Sequence, residues 1–84
     1  MTPFELFEKL PRWLEVVYRN RIYTMSPALL DVGGQIWLCY QGHGKRLVLH
    51  ERINNQQELE EAVNTWAERL ERTGRFHASK LFTA

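Results

Sequence analysis

Apolar and polar residues change their period several times along the chain. Phe4, Phe7, Leu10 and Leu14 recur at helical spacing. Thr2-Pro3-Phe4-Glu5 is a helix start: Thr2 can cap, Pro3 suits the first helical position, and Glu5 closes a capping box. Pro11 interrupts, because its ring would clash with the Phe7 carbonyl and it biases Leu10 away from helical angles. The pattern predicts a short helix to about Leu10. "WLEVVY" and "RIYTM" flank Arg19-Asn20 and are rich in β-branched and aromatic residues. They suit hairpin strands, or the first continues the helix; a helix to about Val17 and a strand from Arg21 to about Met25 is the favoured reading. Ser26-Pro27 should break or bend that strand, and "ALLDV" should resume it before the Gly33-Gly34 turn.

The segment Gln35–Arg52, "QIWLCYQGHGKRLVLHER", alternates as two strands about a glycine-rich tip. Pairing across His43-Gly44 sets Tyr40 opposite Leu47, Cys39 opposite Val48, Leu38 opposite Leu49 and Trp37 opposite His50. One face then carries Ile36, Leu38, Tyr40, Leu47 and Leu49, and is the core. The other carries Trp37, Cys39, Val48, His50 and Arg52.

A second helix is the firmest element. Asn55 and Glu58 stand at capping-box spacing, and Leu59, Ala62, Val63, Trp66, Ala67 and Leu70 form one stripe. Glu68 and Arg72 are spaced to pair, and Gly74 is read as a left-handed stop. Beyond it, "RFHASKLF" should dock through Phe76, Leu81 and Phe82. The expected fold is α+β: a two-layer sandwich of helix, an antiparallel sheet of about three strands, and helix, with a short docked C-terminal tail. Two helices cover only one face of such a sheet.

At 84 residues, one small globular domain spanning 1–84 is expected. Eleven Lys and Arg against ten Asp and Glu is too balanced for a protein that lives on phosphate attraction alone. Cys39 is the only cysteine, which suits a reducing compartment, and "MTPFELFEKL" does not resemble a secretion signal. A cytoplasmic protein is expected, with no membrane association.

Candidate chemistry is sparse. Cys39 and His50 would be diagonal neighbours, but a thiolate nucleophile needs an orienting acid and an oxyanion hole that the pattern does not supply. His43, His50 and His77 lack metal-ligand spacing. "GHGK" lacks the rest of a phosphate loop and sits in a hairpin, so it reads as a turn. No catalytic residue, cofactor or metal is assigned, and no enzyme activity is expected. The order helix–three strands–helix resembles the double-stranded-RNA-binding domain. That family carries cations where its last helix meets phosphate, whereas this helix opens on "NNQQELEE".

The second sheet face is therefore the leading candidate. Trp37, Val48, His50 and Arg52 would form an apolar patch with a polar rim, and Lys45 and Arg46 would set orientation. The expected function is protein binding, as an adaptor or inhibitor of a larger protein machine, or as a homodimer. Short chains without catalytic motifs are frequent among accessory proteins of phages and mobile elements. The alternative is nucleic-acid binding through the Arg19/Arg21 and Lys45/Arg46 loops, with Trp37, Tyr18 and Tyr23 interleaved.

Overall fold

A computed structural model describes residues 3–71 and 74–84. The elements are helix α1 (Pro3–Phe7), strands β1 (Leu14–Tyr18), β2 (Arg21–Val32), β3 (Gln35–Gly42) and β4 (Lys45–Ile53), helix α2 (Gln56–Glu71), and two short strands, β5 (Phe76–His77) and β6 (Phe82–Thr83). The Thr2 cap and the Glu68–Arg72 pair lie outside the described residues.

The expected sandwich of about three strands is not what forms. Six strands make one mixed, curled half-barrel in the order β5-β1-β2-β3-β4-β6. Residues 14–18 are a strand, not a continuation of the first helix. With that strand in place, the likeness to the RNA-binding domain's element order disappears. The tail supplies both ends of the sheet: β5 pairs parallel with β1, and β6 pairs antiparallel with β4. This forces the curl. In a flat sheet β5 and β6 would lie about 24 Å apart, whereas the chain from His77 to Phe82 reaches about 18 Å at most.

Three two-residue loops generate the main sheet. Arg19-Asn20, Gly33-Gly34 and His43-Gly44 all have positive φ at both positions, which matches the twist of the flanking strands. Each such loop makes its flanking residues a hydrogen-bonded pair: Tyr18 with Arg21, Val32 with Gln35, Gly42 with Lys45. Alternation then fixes every other backbone group. On β2, residues 21, 23, 25, 27, 29 and 31 aim at the β1 side, and residues 22 to 32 of even number aim at β3. Pro27 thus lacks no bond to β3, which explains why β2 runs through Ser26-Pro27 instead of breaking. β2 pairs with β1 up to Met25 and with β3 from Ser26 onward, so it changes partner at the bend.

The inner face holds the core. Leu14, Val16, Met25, Leu38, Tyr40, Leu47 and Ile53 from the sheet meet Leu6, Leu59, Ala62, Val63 and Leu70 from the helices. Phe76, Ala78 and Leu81 of the tail pack against the same cluster. α2 follows the expected pattern. The Glu58 N–H donates to Asn55 Oδ1 at 2.9 Å, and Glu58 accepts from the Asn54 N–H at 2.9 Å. The left-handed stop read at Gly74 depends on residues 72 and 73, which lie outside the described residues.

Candidate functional site

The hairpin tip and its first pairs are as expected: Gly42 faces Lys45, Tyr40 faces Leu47, and Cys39 faces Val48. The register then shifts twice. Leu38 pairs with His50 instead of Leu49, and Ile36 pairs with Ile53. Each bulge inserts one extra residue into β4 and turns the residues beyond it to the opposite face. Arg52 stands in the second irregularity with φ 55° and is exposed.

These shifts dismantle the patch read from strict alternation. His50 moves away from Trp37 to the α2 side, where it lines a cavity of about 260 Å³ with Glu58, Glu61, Ala62, Thr65 and Trp66. The Cys39–His50 diagonal is lost with it. Val48 keeps its place beside Cys39 but also lines a cavity of about 340 Å³ under the tail, with His77 and Lys80 among its other walls.

What stays together is a patch on the outer face of β2, β3 and β4. Trp37 faces Leu30 and Cys39 faces Ala28 across β2, and Arg46 faces Gln41 across β4. Trp37, Leu30, Ala28 and Val48 are half-buried, and Val32 is exposed at the end of the row. The Arg46 guanidinium donates twice to Gln41 Oε1, at 3.0 Å from Nε and 2.7 Å from Nη2. This pair forms a rigid polar rim. Sequence reasoning takes Ala28, Leu30 and Val32 only as a strand resumption; their even spacing on β2 is the signal that places them beside Trp37. The Trp37 indole Nε1 is enclosed and has no acceptor among the described residues. Both helices pack on the opposite, inner face.

Cys39 forms the floor of the patch. The thiol is fully buried, 3.8 Å from the Trp37 carbonyl oxygen. Burial pushes its pKa from 9.0 up to about 11, against the pull of the Arg46 guanidinium; Glu51 adds to the rise. A thiol so placed is a packed apolar group and a poor nucleophile at neutral pH. The unfolded thiol ionises near pH 9, while the folded one holds its proton to about pH 11. Stability should therefore fall as pH rises through that window, by about 2–3 kcal/mol from this group. Urea midpoints at pH 8 and pH 11 should separate further for the wild type than for Cys39→Ala. Equal separations would contradict the assignment.

Comparison leaves the site to its own chemistry. No family model, curated protein or solved structure matches the chain. Among the described residues, no group of three or more His, Cys, Asp or Glu side chains is placed to hold a metal ion. Among them, no helix is long and apolar enough to cross a membrane.

The cations of the alternative reading gather at one end of the sheet. The Tyr23 and His43 rings stand 6.2 Å apart, which brings the β1–β2 tip beside the β3–β4 tip. Arg19 lies over the Tyr18 ring at 5.0 Å, and Arg21 is exposed next to it. Lys45 is half-buried and pairs with Thr83 of β6; Arg46 pairs with Phe82. The expected cluster is thus reduced, because Arg46 is committed to Gln41.

Proposed function

We propose that the protein is a small non-enzymatic binding module of the cytoplasm that docks another protein on its outer sheet face. The observation that carries this reading is the one-sidedness of the core. Both helices and Phe76, Ala78 and Leu81 of the tail pack on the inner face. Trp37, Leu30, Ala28 and Val32 are left in a row on the outer face, beside the Arg46–Gln41 rim. An aromatic centre in a small apolar patch with a polar rim is the composition of a binding hot spot. A larger protein machine is the favoured partner, and an accessory role in a phage or mobile element fits a domain of this size.

The test is capture by immobilised variants. Trp37→Ala and Leu30→Lys should each lose at least about tenfold in partner binding, as expected for hot-spot residues. Their melting temperatures should stay within a few degrees of the wild type. Thr65→Lys, on the exposed side of α2, should bind normally. Loss of the fold in Trp37→Ala, or undiminished capture by both outer-face variants, would overturn the reading.

A second reading draws on the Tyr23–His43 contact, which collects Arg19, Arg21 and Lys45 at one end with two tyrosines. Such an end suits a single-stranded nucleic acid. It requires salt-sensitive binding of an oligonucleotide that Arg19→Glu and Arg21→Glu weaken. An oligonucleotide that stays unbound at low ionic strength removes it.

A further inference from the structure

β2 carries a second unpartnered surface, its backbone edge. From Ser26 to Val32 its only neighbour among the described residues is β3. Alternation aims the N–H and C=O of Leu29 and Asp31, and the C=O of Pro27, at the empty side. Among the described residues no backbone group meets them there. β1 would cover them if it ran further back, but it begins at Leu14 and residues 8–13 turn away to α1. The Tyr40 hydroxyl holds that turn by donating to the Pro11 carbonyl at 2.6 Å. A cleft of about 470 Å³, lined by Phe7, Glu8, Leu10, Arg12 and Pro27, adjoins the start of the edge. Open edges of this kind take up an extended strand.

We infer that the strand taken up is the same edge of a second copy, antiparallel about a two-fold axis at Leu29. This register sets Leu29 opposite Leu29 of the second copy and Pro27 opposite its Asp31. Each Leu29 N–H donates to the opposite Leu29 carbonyl, and each Asp31 N–H donates to the opposite Pro27 carbonyl. Every outward N–H of the edge is then used. The one that is missing, at Pro27, falls opposite the Asp31 carbonyl, which water can satisfy. The pattern of donors is thus self-complementary, as a two-fold contact requires.

The side chains fit the same register. On the outer face, Ala28 meets Leu30 of the second copy, an apolar pair. On the inner face, Asp31 of the second copy enters beside Pro27, where Arg12 lines the cleft and supplies the opposite charge. The incoming strand ends at Val32, and its Gly33-Gly34 turn reaches the start of β1. Neither glycine carries a side chain, so the turn brings little bulk to that junction. Trp13, which is 64% exposed beside the same junction, would be covered. The contact shares Ala28 and Leu30 with the outer-face patch but leaves out Trp37 on β3, so Trp37→Ala, which should dimerise like the wild type, separates the two readings.

The test combines light scattering from micromolar to millimolar protein with amide exchange of the wild type. The mass should rise from one chain to two. The Leu29 and Asp31 amides should slow by at least about tenfold over the same range, since exchange reports local opening of hydrogen bonds. Ala28 and Leu30, bonded to β3, should be protected throughout. Asp31→Pro should stay monomeric, because its nitrogen faces the edge as Pro27's does. It also removes the Asp31 Oδ1 that accepts the Gly34 N–H at 3.0 Å, so retained protection of the Ala28 and Leu30 amides shows that the variant is folded. Arg12→Asp should weaken the dimer, and adding Asp31→Arg should restore it. A single-chain mass at every concentration would overturn the inference, whether the edge takes a different protein or none. So would a dimer whose Leu29 and Asp31 amides exchange freely, or an Asp31→Pro variant that pairs like the wild type.

Discussion

Tyr40→Ala is expected to cost about 3–5 kcal/mol, which is a large part of the stability of a domain this small. Tyr40 heads the fully buried side chains by size and stands on the inner face of the central strand β3. Its ring belongs to the cluster that joins Val16 and Met25 of the sheet to Val63 and Leu70 of α2. Truncation leaves a cavity that those neighbours fill only in part. The hydroxyl does separate work, since its bond to the Pro11 carbonyl ties the turn between α1 and β1 to the sheet. Tyr40→Phe should therefore cost about 1–2 kcal/mol, the effect of one lost buried hydrogen bond. Urea unfolding measures both. A loss below about 1 kcal/mol for the alanine variant would contradict the placement of Tyr40 at the centre of the core.

Gly42→Ala should also be clearly destabilising, although it adds only one methyl group. Gly42 ends β3 where β2 bends between its two partners. A Cβ there would collide with the Thr24 carbonyl oxygen and stand 3.1 Å from the Met25 Cα. Both obstacles are backbone, so relief requires moving the strand that carries the bend. Overpacking of this kind costs about 1–3 kcal/mol and often more where backbone must shift. Gly44→Ala provides the contrast, because space around it is open and its penalty comes from its φ of 71° alone. Gly42→Ala should lower the urea midpoint without changing the slope. A variant as stable as the wild type would mean that β2 and β3 do not approach so closely at this corner.

The parts of the fold that are legible in sequence share one property: a strong local period with a recognisable stop. α2 has both in its stripe and in the Asn55–Glu58 cap. The β3–β4 tip has them in His43-Gly44. β1 escapes such a reading because Leu10 and Leu14 continue a helical spacing while Leu14 and Val16 also fit period two. The Arg19-Asn20 turn that decides the matter is a weaker signal than Asn-Gly, since arginine seldom takes positive φ. β5 and β6 are two residues each, too short to carry any period. They exist because the tail has to satisfy both edges of the curl.

The candidate site shows how one extra residue undoes strict alternation. Cys39 and Val48 lie before the bulges, and Trp37 stands on β3, which carries no extra residue, so all three keep the face the sequence assigns them. His50 and Arg52 lie after or within the bulges and do not. One sign is present in the sequence: strict alternation from Leu47 through Leu49 to Ile53 would turn Glu51 toward the core. A charge at an inward position marks a register that has to slip. The neighbours that complete the patch, Ala28 and Leu30, come from β2, and only the β2–β3 register reveals them.

The most direct measurement is photo-crosslinking from a benzophenone side chain placed at Leu30, with the same group at Thr65 as reference, in cells that hold the natural partner. Docking on the outer face predicts a discrete protein adduct from Leu30 that Trp37→Ala abolishes, and none from Thr65. Adducts from Thr65 alone would place the binding surface on the helix side and contradict the assignment of the outer sheet face.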